Sequence, residues 1–289
     1  MQIPSIPDLI ISTGNLGYNI SQPNNEYTIV HLNLDANYKA LDSLVVYALL
    51  NMAGLVLFNR ELATQNPDFS ELNKASWDQS INALEKKGPN NYQGWVGEMI
   101  TDFVLRHFLY ANEGLMGYKW WAIDPPKGDV NNHGLDIIAA YVLQNDQVGH
   151  ICGEIKTYNN FSQAKNDAYT KLAEAYNYSN NREAEIRRSL TSLFHLRKDI
   201  NPIQAARAAM GQERSFLPSV LHNAKVNMRP LTPFHDLPSK FVNCTRPTQR
   251  IGICISILAI SKSAEDFNAF FREFIKRMRI ISSNWATQR

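Results

Sequence analysis

The chain has 289 residues, 44% of them hydrophobic and 19% charged, which supplies a real core and excludes a disordered chain. Its three cysteines (Cys152, Cys244 and Cys254) form no CxxC pair, so neither a disulfide framework nor a zinc ribbon is expected, and the compartment is expected to be reducing. The formal net charge of +2 hides a split: 11 Lys/Arg against 19 Asp/Glu in residues 1–180, and 18 against 8 in residues 181–289. Such a split suits a polyanion-binding surface beside a carboxylate-rich site, and equally two halves that attract each other or a partner.

The first residues, MQIPSIPDLI, lack a basic region ahead of an apolar one, so no signal peptide is expected. A strand is predicted over EYTIVHLNLD (26–35), followed by a long apolar helix from Leu41 to Ala63. Its run LVVYALLNMAGLVLF (44–58) is broken by Asn51 and too short to span a bilayer, which makes it a buried helix of a cytoplasmic protein. NPDFSELN and KKGPNNY carry turn chemistry, and QGWVGEMITDFVLRHFLY (93–110) follows as a helix. GYKWWAI (117–123) reads as a strand and DPPKGDVNNHG as a loop. Two strands come next, Leu135–Leu143 and His150–Tyr158, joined by the turn-like QNDQVG.

Helices are predicted from Ser162 to Tyr178 and from Arg182 to Arg197, the second with Ile186, Leu190, Leu193 and Phe194 on one face. Asn201 caps a third, with Pro202 at its first position and Gly211 just past its end. Residues 215–249 hold five prolines and few periodic patterns, and are expected to form a long irregular connection. QRIGICISILAI (249–260) is a buried strand, and SAEDFNAFFREFIKRMR (263–279) a helix capped by Ser263 with Asp266. Its stripe of Phe267, Phe270, Phe271, Phe274, Ile275 and Met278 is core rather than a base-stacking platform. The order predicts an α/β fold, a mixed central sheet flanked by helices, with residues 1–90 as an N-terminal α/β subdomain and 91–289 as the main core.

Within HGLDIIAAYVLQNDQVGHICGEIKTY (133–158), Glu154 and Lys156 alternate on one strand and share a face. Asp136 lies near the start of the preceding strand, so antiparallel pairing brings it close to Glu154. Two carboxylates hold a hard divalent cation such as Mg²⁺, which activates water and offsets charge on a phosphodiester, while a lysine donates to the water or the phosphate. E-x-K alone says little, since with 13 Glu and 14 Lys chance supplies about one such triplet. Glu85-Lys86-Lys87 is a second instance, at the polar end of a helical stretch where nothing needs a ligand. Glu154 differs in sitting on an apolar strand that follows another apolar strand carrying Asp136.

These residues resemble the PD-(D/E)XK nuclease superfamily, whose signature is an aspartate on one strand and (D/E)-x-K on the next, often with an acidic residue on a preceding helix. The aspartate stands in GLD rather than Pro-Asp, and the match covers roughly residues 93–178. The resemblance implies a PD-(D/E)XK-like core that cuts DNA, more rarely RNA, with Mg²⁺ or Mn²⁺ bound by Asp136, Glu154 and the Ile155 carbonyl, and with Lys156 assisting the water. Glu98, in GWVGEM, would be the helix carboxylate. On the helical wheel it falls nearly opposite the stripe of Val96, Met99, Ile100, Phe103 and Val104, which favours a solvated glutamate, while Trp95, Leu105 and Leu109 make that side partly apolar too.

Other polar residues read more plainly. Gln163 is expected to bond backbone at a helix start, and His133 and His150 to pack or sit at the surface. Cys152 shares the Glu154 face without a His–Asp set, and the chain holds no G-x-x-x-x-G-K-[ST]. Nucleic-acid contact is expected from Arg182, Arg187 and Arg188 on one helix and Lys276, Arg277 and Arg279 on the last, with solvated helix faces as the bland alternative. NNHGLD with GEIKTY and the basic helical C-terminus resemble the small nuclease subunit (HamA-like) of the Hachiman antiphage system. That likeness implies antiviral defence and a helicase partner with its own ATPase. A restriction endonuclease and a non-catalytic nucleic-acid-binding or scaffold subunit are the competing readings; a sugar hydrolase lacks an aromatic substrate platform.

Overall fold

The computed structural model describes residues 8–9, 19–21, 28–34, 38–63, 74–86, 88–126, 134–176, 182–201, 203, 214–226, 233–234 and 251–287. Its centre is a seven-stranded sheet of β1 (Asn19–Ser21), β2 (Thr28–Leu34), β3 (Tyr118–Ile123), β4 (Ile137–Leu143), β5 (Val148–Thr157), β6 (Arg214–Asn223) and β7 (Ile251–Ile257). The spatial order is β1-β2-β7-β6-β5-β4-β3. The four central strands β2, β7, β6 and β5 run parallel, with antiparallel partners at each edge, so the sheet is mixed as expected. Both faces are covered by helices, which is why β4 and β7 are buried at every residue rather than in alternation.

One face carries α1 (Tyr38–Met52), α3 (Lys74–Lys86), α4 (Pro89–Ala111) and α8 (Ala264–Thr287), which build a core with Ile151, Ile155, Leu217, Leu221, Ile253 and Ile255. The other carries α6 (Phe161–Tyr176) and α7 (Arg182–Phe194) over Ile138, Ala140, Cys152, Val220 and Cys254. Two single turns, α2 (Arg60–Ala63) and α5 (Glu113–Met116), complete the set. Residues before 90 supply β1 and β2 to the same sheet, with β2 hydrogen-bonded alongside β7.

The α7 face of Ile186, Leu190, Leu193 and Phe194 is buried as the periodicity requires. In α8 the stripe residues are buried except Phe270, which packs partly exposed against the same core. Ser263 caps α8 by accepting the Asp266 N–H, and the helix runs two turns further than its charged pattern suggested.

Two expectations are corrected. The helix drawn from Leu41 to Ala63 ends at Met52, because Gly54 takes a left-handed φ of 71°. The Gly54 N–H then bonds the Asn51 carbonyl and the Leu55 N–H the Leu50 carbonyl, closing the helix end. The irregular connection over 215–249 instead begins with β6, a strand between β5 and β7. Pro218 fits because it precedes Ser219, where pairing with β7 starts. The Asn201 cap survives as an Asn201 Oδ1 bond from the Ile203 N–H, while the helix expected up to Gly211, the NPDFSELN turn and His133 lie outside the described residues.

Candidate active site

β5 is apolar and buried almost throughout, yet near its carboxyl end it carries Glu154, 4% exposed, and Lys156. Alternation along the strand puts both on the face that Cys152 shares with α6 and α7. Asp136 joins them there. The β4–β5 ladder ends at Ile137 opposite Gly153, and one further step in that register sets Asp136 opposite Glu154. Past the ladder, Asp136 Oδ2 takes over as acceptor of the Ile155 N–H at 2.7 Å. A residue's N–H and C=O leave a strand on the same side, so the Ile155 carbonyl also faces the Asp136 side of β5.

Three polar neighbours were not legible in the sequence. Glu185 of α7 accepts the Leu135 N–H at 3.1 Å, holding the residue directly before Asp136. Tyr158 is electrostatically coupled to Asp167 of α6, to Lys156 and to Glu154; burial, then Asp167, raises its pKa. Asn160 caps α6 through the Gln163 N–H, leaving the Gln163 side chain exposed.

Lys156 Nζ donates to Glu154 Oε1 at 2.6 Å. Burial works to lower the lysine pKa, but Glu154 and then Asp136 outweigh it and hold it above the ordinary value. The side chain therefore remains an ammonium donor at neutral pH rather than a base. An ion pair on a buried carboxylate is expensive to desolvate and is weak evidence for stability, so its job must be sought elsewhere. A fully buried pair on α4 gives the comparison. Arg106 bonds Asp102 at 2.7 Å, Tyr47 donates to the same carboxylate, and the guanidinium also ties down the carbonyls of Leu57, Phe58 and Ile123. That set anchors backbone. Among the described residues the Lys156 ammonium hydrogen-bonds Glu154 alone.

Glu98 comes from the other side of the sheet. Its neighbour Gly97 lies against Thr157 and Ile155, the β5 residues that face α4, and a Cβ at Gly97 would overlap Thr157 Oγ1. Glu98 itself is half-buried, while the helix around it is buried on more than one side, including Thr101, Asp102 and Arg106. No group of three His, Cys, Asp or Glu side chains placed to hold a metal occurs among the described residues, so Asp136 and Glu154 stand as a pair. Two carboxylates and a carbonyl form a hard all-oxygen set. That matches Mg²⁺, which keeps several waters and takes one or two protein carboxylates, and not a closed site for a softer metal.

The basic residues separate by face. On α8, Arg277 pairs with Asp42 of α1, Arg279 with Glu85 and Asn82 of α3, and Lys276 with Glu273. The second E-x-K glutamate thus has an ordinary partner, on the face away from Glu154. Arg187 and Arg188 are exposed on α7, on the Glu154 side, and the Arg182 side chain lies outside the described residues. His150 and Cys152 are fully buried earlier on β5, as packing groups.

The sequence model of the HamA family matches residues 9–283, nearly the whole chain. The chain belongs to the HamA family. Membership makes it an antiphage defence-associated protein of a multi-component system. No curated protein and no solved structure matches it. Among the described residues of this HamA-family chain, no helix is long and apolar enough to cross a membrane.

Proposed function

We propose that the chain is a divalent-metal-dependent nuclease that cleaves phosphodiester bonds in DNA and works with a helicase partner in antiviral defence. The observation that carries the reading is the part-buried pair of Lys156 with the buried Glu154 at the carboxyl end of β5, with Asp136 opposite on the same face. Asp136, Glu154 and the Ile155 carbonyl would hold Mg²⁺ or Mn²⁺, and Glu98 is a further carboxylate offered from α4, across the sheet. When bound, the metal supplies positive charge for the phosphodiester oxygens and an activated water. Lys156, kept charged by its two acidic neighbours, leaves the glutamate to donate N–H bonds to a phosphate oxygen and hold the water in line. The Asp136 bond to the Ile155 N–H fixes the spacing of the two strands where the phosphate must sit.

The test is cleavage of plasmid, linear and single-stranded DNA with and without Mg²⁺, for wild type, Glu154→Ala, Lys156→Ala and Glu98→Ala. Metal-dependent cleavage is expected for wild type, with a loss of at least about a thousandfold in the first two variants and a smaller one in Glu98→Ala. Circular dichroism and thermal denaturation check that each variant folds. Undiminished cleavage in Glu154→Ala and Lys156→Ala sinks the assignment.

A further inference from the structure

We propose that three loops at the carboxyl edge of the parallel strands, residues 158–160, 224–226 and 258–263, form a rigid seat for a nucleic-acid strand beside the candidate site. This rests on the reading of Glu154 and Lys156 as a phosphodiester-processing site and adds the surface that positions the polymer. Asn223, wholly buried at the end of β6, locks the loops together. Its Nδ2 donates to Asn159 Oδ1 at 2.9 Å and to the Ser261 carbonyl at 2.9 Å, and its Oδ1 accepts the Lys225 N–H at 2.9 Å. Asn159 Nδ2 in turn donates to the Lys262 carbonyl at 3.0 Å.

A buried amide that spends its bonds on loop backbone rather than on the core makes those loops stiff. What they present is unusual for this molecule. Ile260 is 87% and Leu258 is 55% exposed, flanking the buried Ala259. Lys225 and Lys262 are exposed, and neither forms an ion pair with another described residue, unlike the α8 arginines. Asn159 stands three residues past Lys156 on the same chain, so the seat adjoins the site directly.

The carboxyl edge of parallel strands is where open α/β sheets bind ligands. Unneutralised lysines attract a phosphate backbone, and an exposed apolar tip on the same edge suits sugar and base edges. A protein partner is the weaker fit, since lysine is depleted from protein–protein interfaces and two side chains do not make a contiguous apolar patch.

Binding of fluorescein-labelled single-stranded and duplex DNA to the full chain, read by anisotropy in EDTA over a salt series, separates this proposal from catalysis. The Lys225→Gln/Lys262→Gln double variant should bind at least about fivefold more weakly near 0.1 M salt and lose roughly 1.5–2 from the salt slope. Ile260→Ser should lose affinity with the slope unchanged, and Lys86→Gln, exposed on α3 across the sheet, should bind as wild type. Wild-type affinity in the double variant or in Ile260→Ser overturns the seat, the latter pointing to a protein occupant of the tip. Failure of the nuclease reading shows separately, as full cleavage in Glu154→Ala with DNA binding intact.

Discussion

At the scale of single residues, the site depends on which backbone groups its carboxylates hold as much as on the carboxylates themselves. Asp136 is pinned from two sides, by its own bond to the Ile155 N–H and by the Glu185 bond to the Leu135 N–H. Loss of a supporting contact of this kind typically costs ten- to a hundredfold in metal affinity or activity. On the proposed nuclease reading, Glu185→Ala is expected to lower Mg²⁺-dependent cleavage by about tenfold or more and to raise the Mg²⁺ concentration needed. Glu185→Gln keeps an acceptor oxygen and should recover most of both. Equal losses in the two variants would show that Glu185 matters for its charge rather than for the Leu135 N–H.

At the scale of elements, α4 and β5 meet closely because Gly97 has no side chain. The contact sets how near the helix bearing Glu98 lies to the strand bearing Glu154. Gly97→Ala is expected to destabilise the fold by about 1–3 kcal/mol, the usual cost of overpacking, read from urea denaturation. Adding Thr157→Ala removes the Oγ1 that the new methyl would strike, so the double variant should regain part of the loss. Additive losses would place the strain elsewhere along α4. The sequence made α4, β4 and β5 legible because apolar periodicity and the QNDQVG turn are local signals. It concealed β6, whose Pro218 reads as a breaker until the position where β7 begins to pair is known.

At the scale of the whole molecule, the charge split is answered in part from within. Arg277 and Arg279 of the basic half bind Asp42 and Glu85 of the acidic half, so part of the apparent polyanion surface is an internal clasp between helices. Two histidines, the buried His222 and the partly buried His107, give the fold an acid limit. Burial lowers His107 and His222 from the ordinary 6.5 to about 4, and the latter shares a 2.9 Å hydrogen bond with Ser256. Below pH 6.5 the unfolded chain takes up protons that the folded chain refuses until about 4. Stability is therefore full above this window and falls as the pH drops through it, by on the order of 2–3 kcal/mol per histidine. Urea midpoints measured from pH 7 to 4 should decline more gently in His222→Gln than in wild type; parallel curves would assign the loss to other groups.

From the sequence alone came the α/β class, the strand pair, and the common face of Glu154 and Lys156, because strand alternation and a short turn act over a few residues. Asp136 as the third member also followed from them, once antiparallel pairing was assumed. Only the tertiary structure decided that α4 approaches from the opposite face of the sheet from Glu154. It alone showed Glu185 holding the Asp136 segment across a separation of 50 positions, and the α8 arginines paired within the chain. Such contacts join residues far apart in sequence, and no local pattern records which charge will meet which when the layers pack.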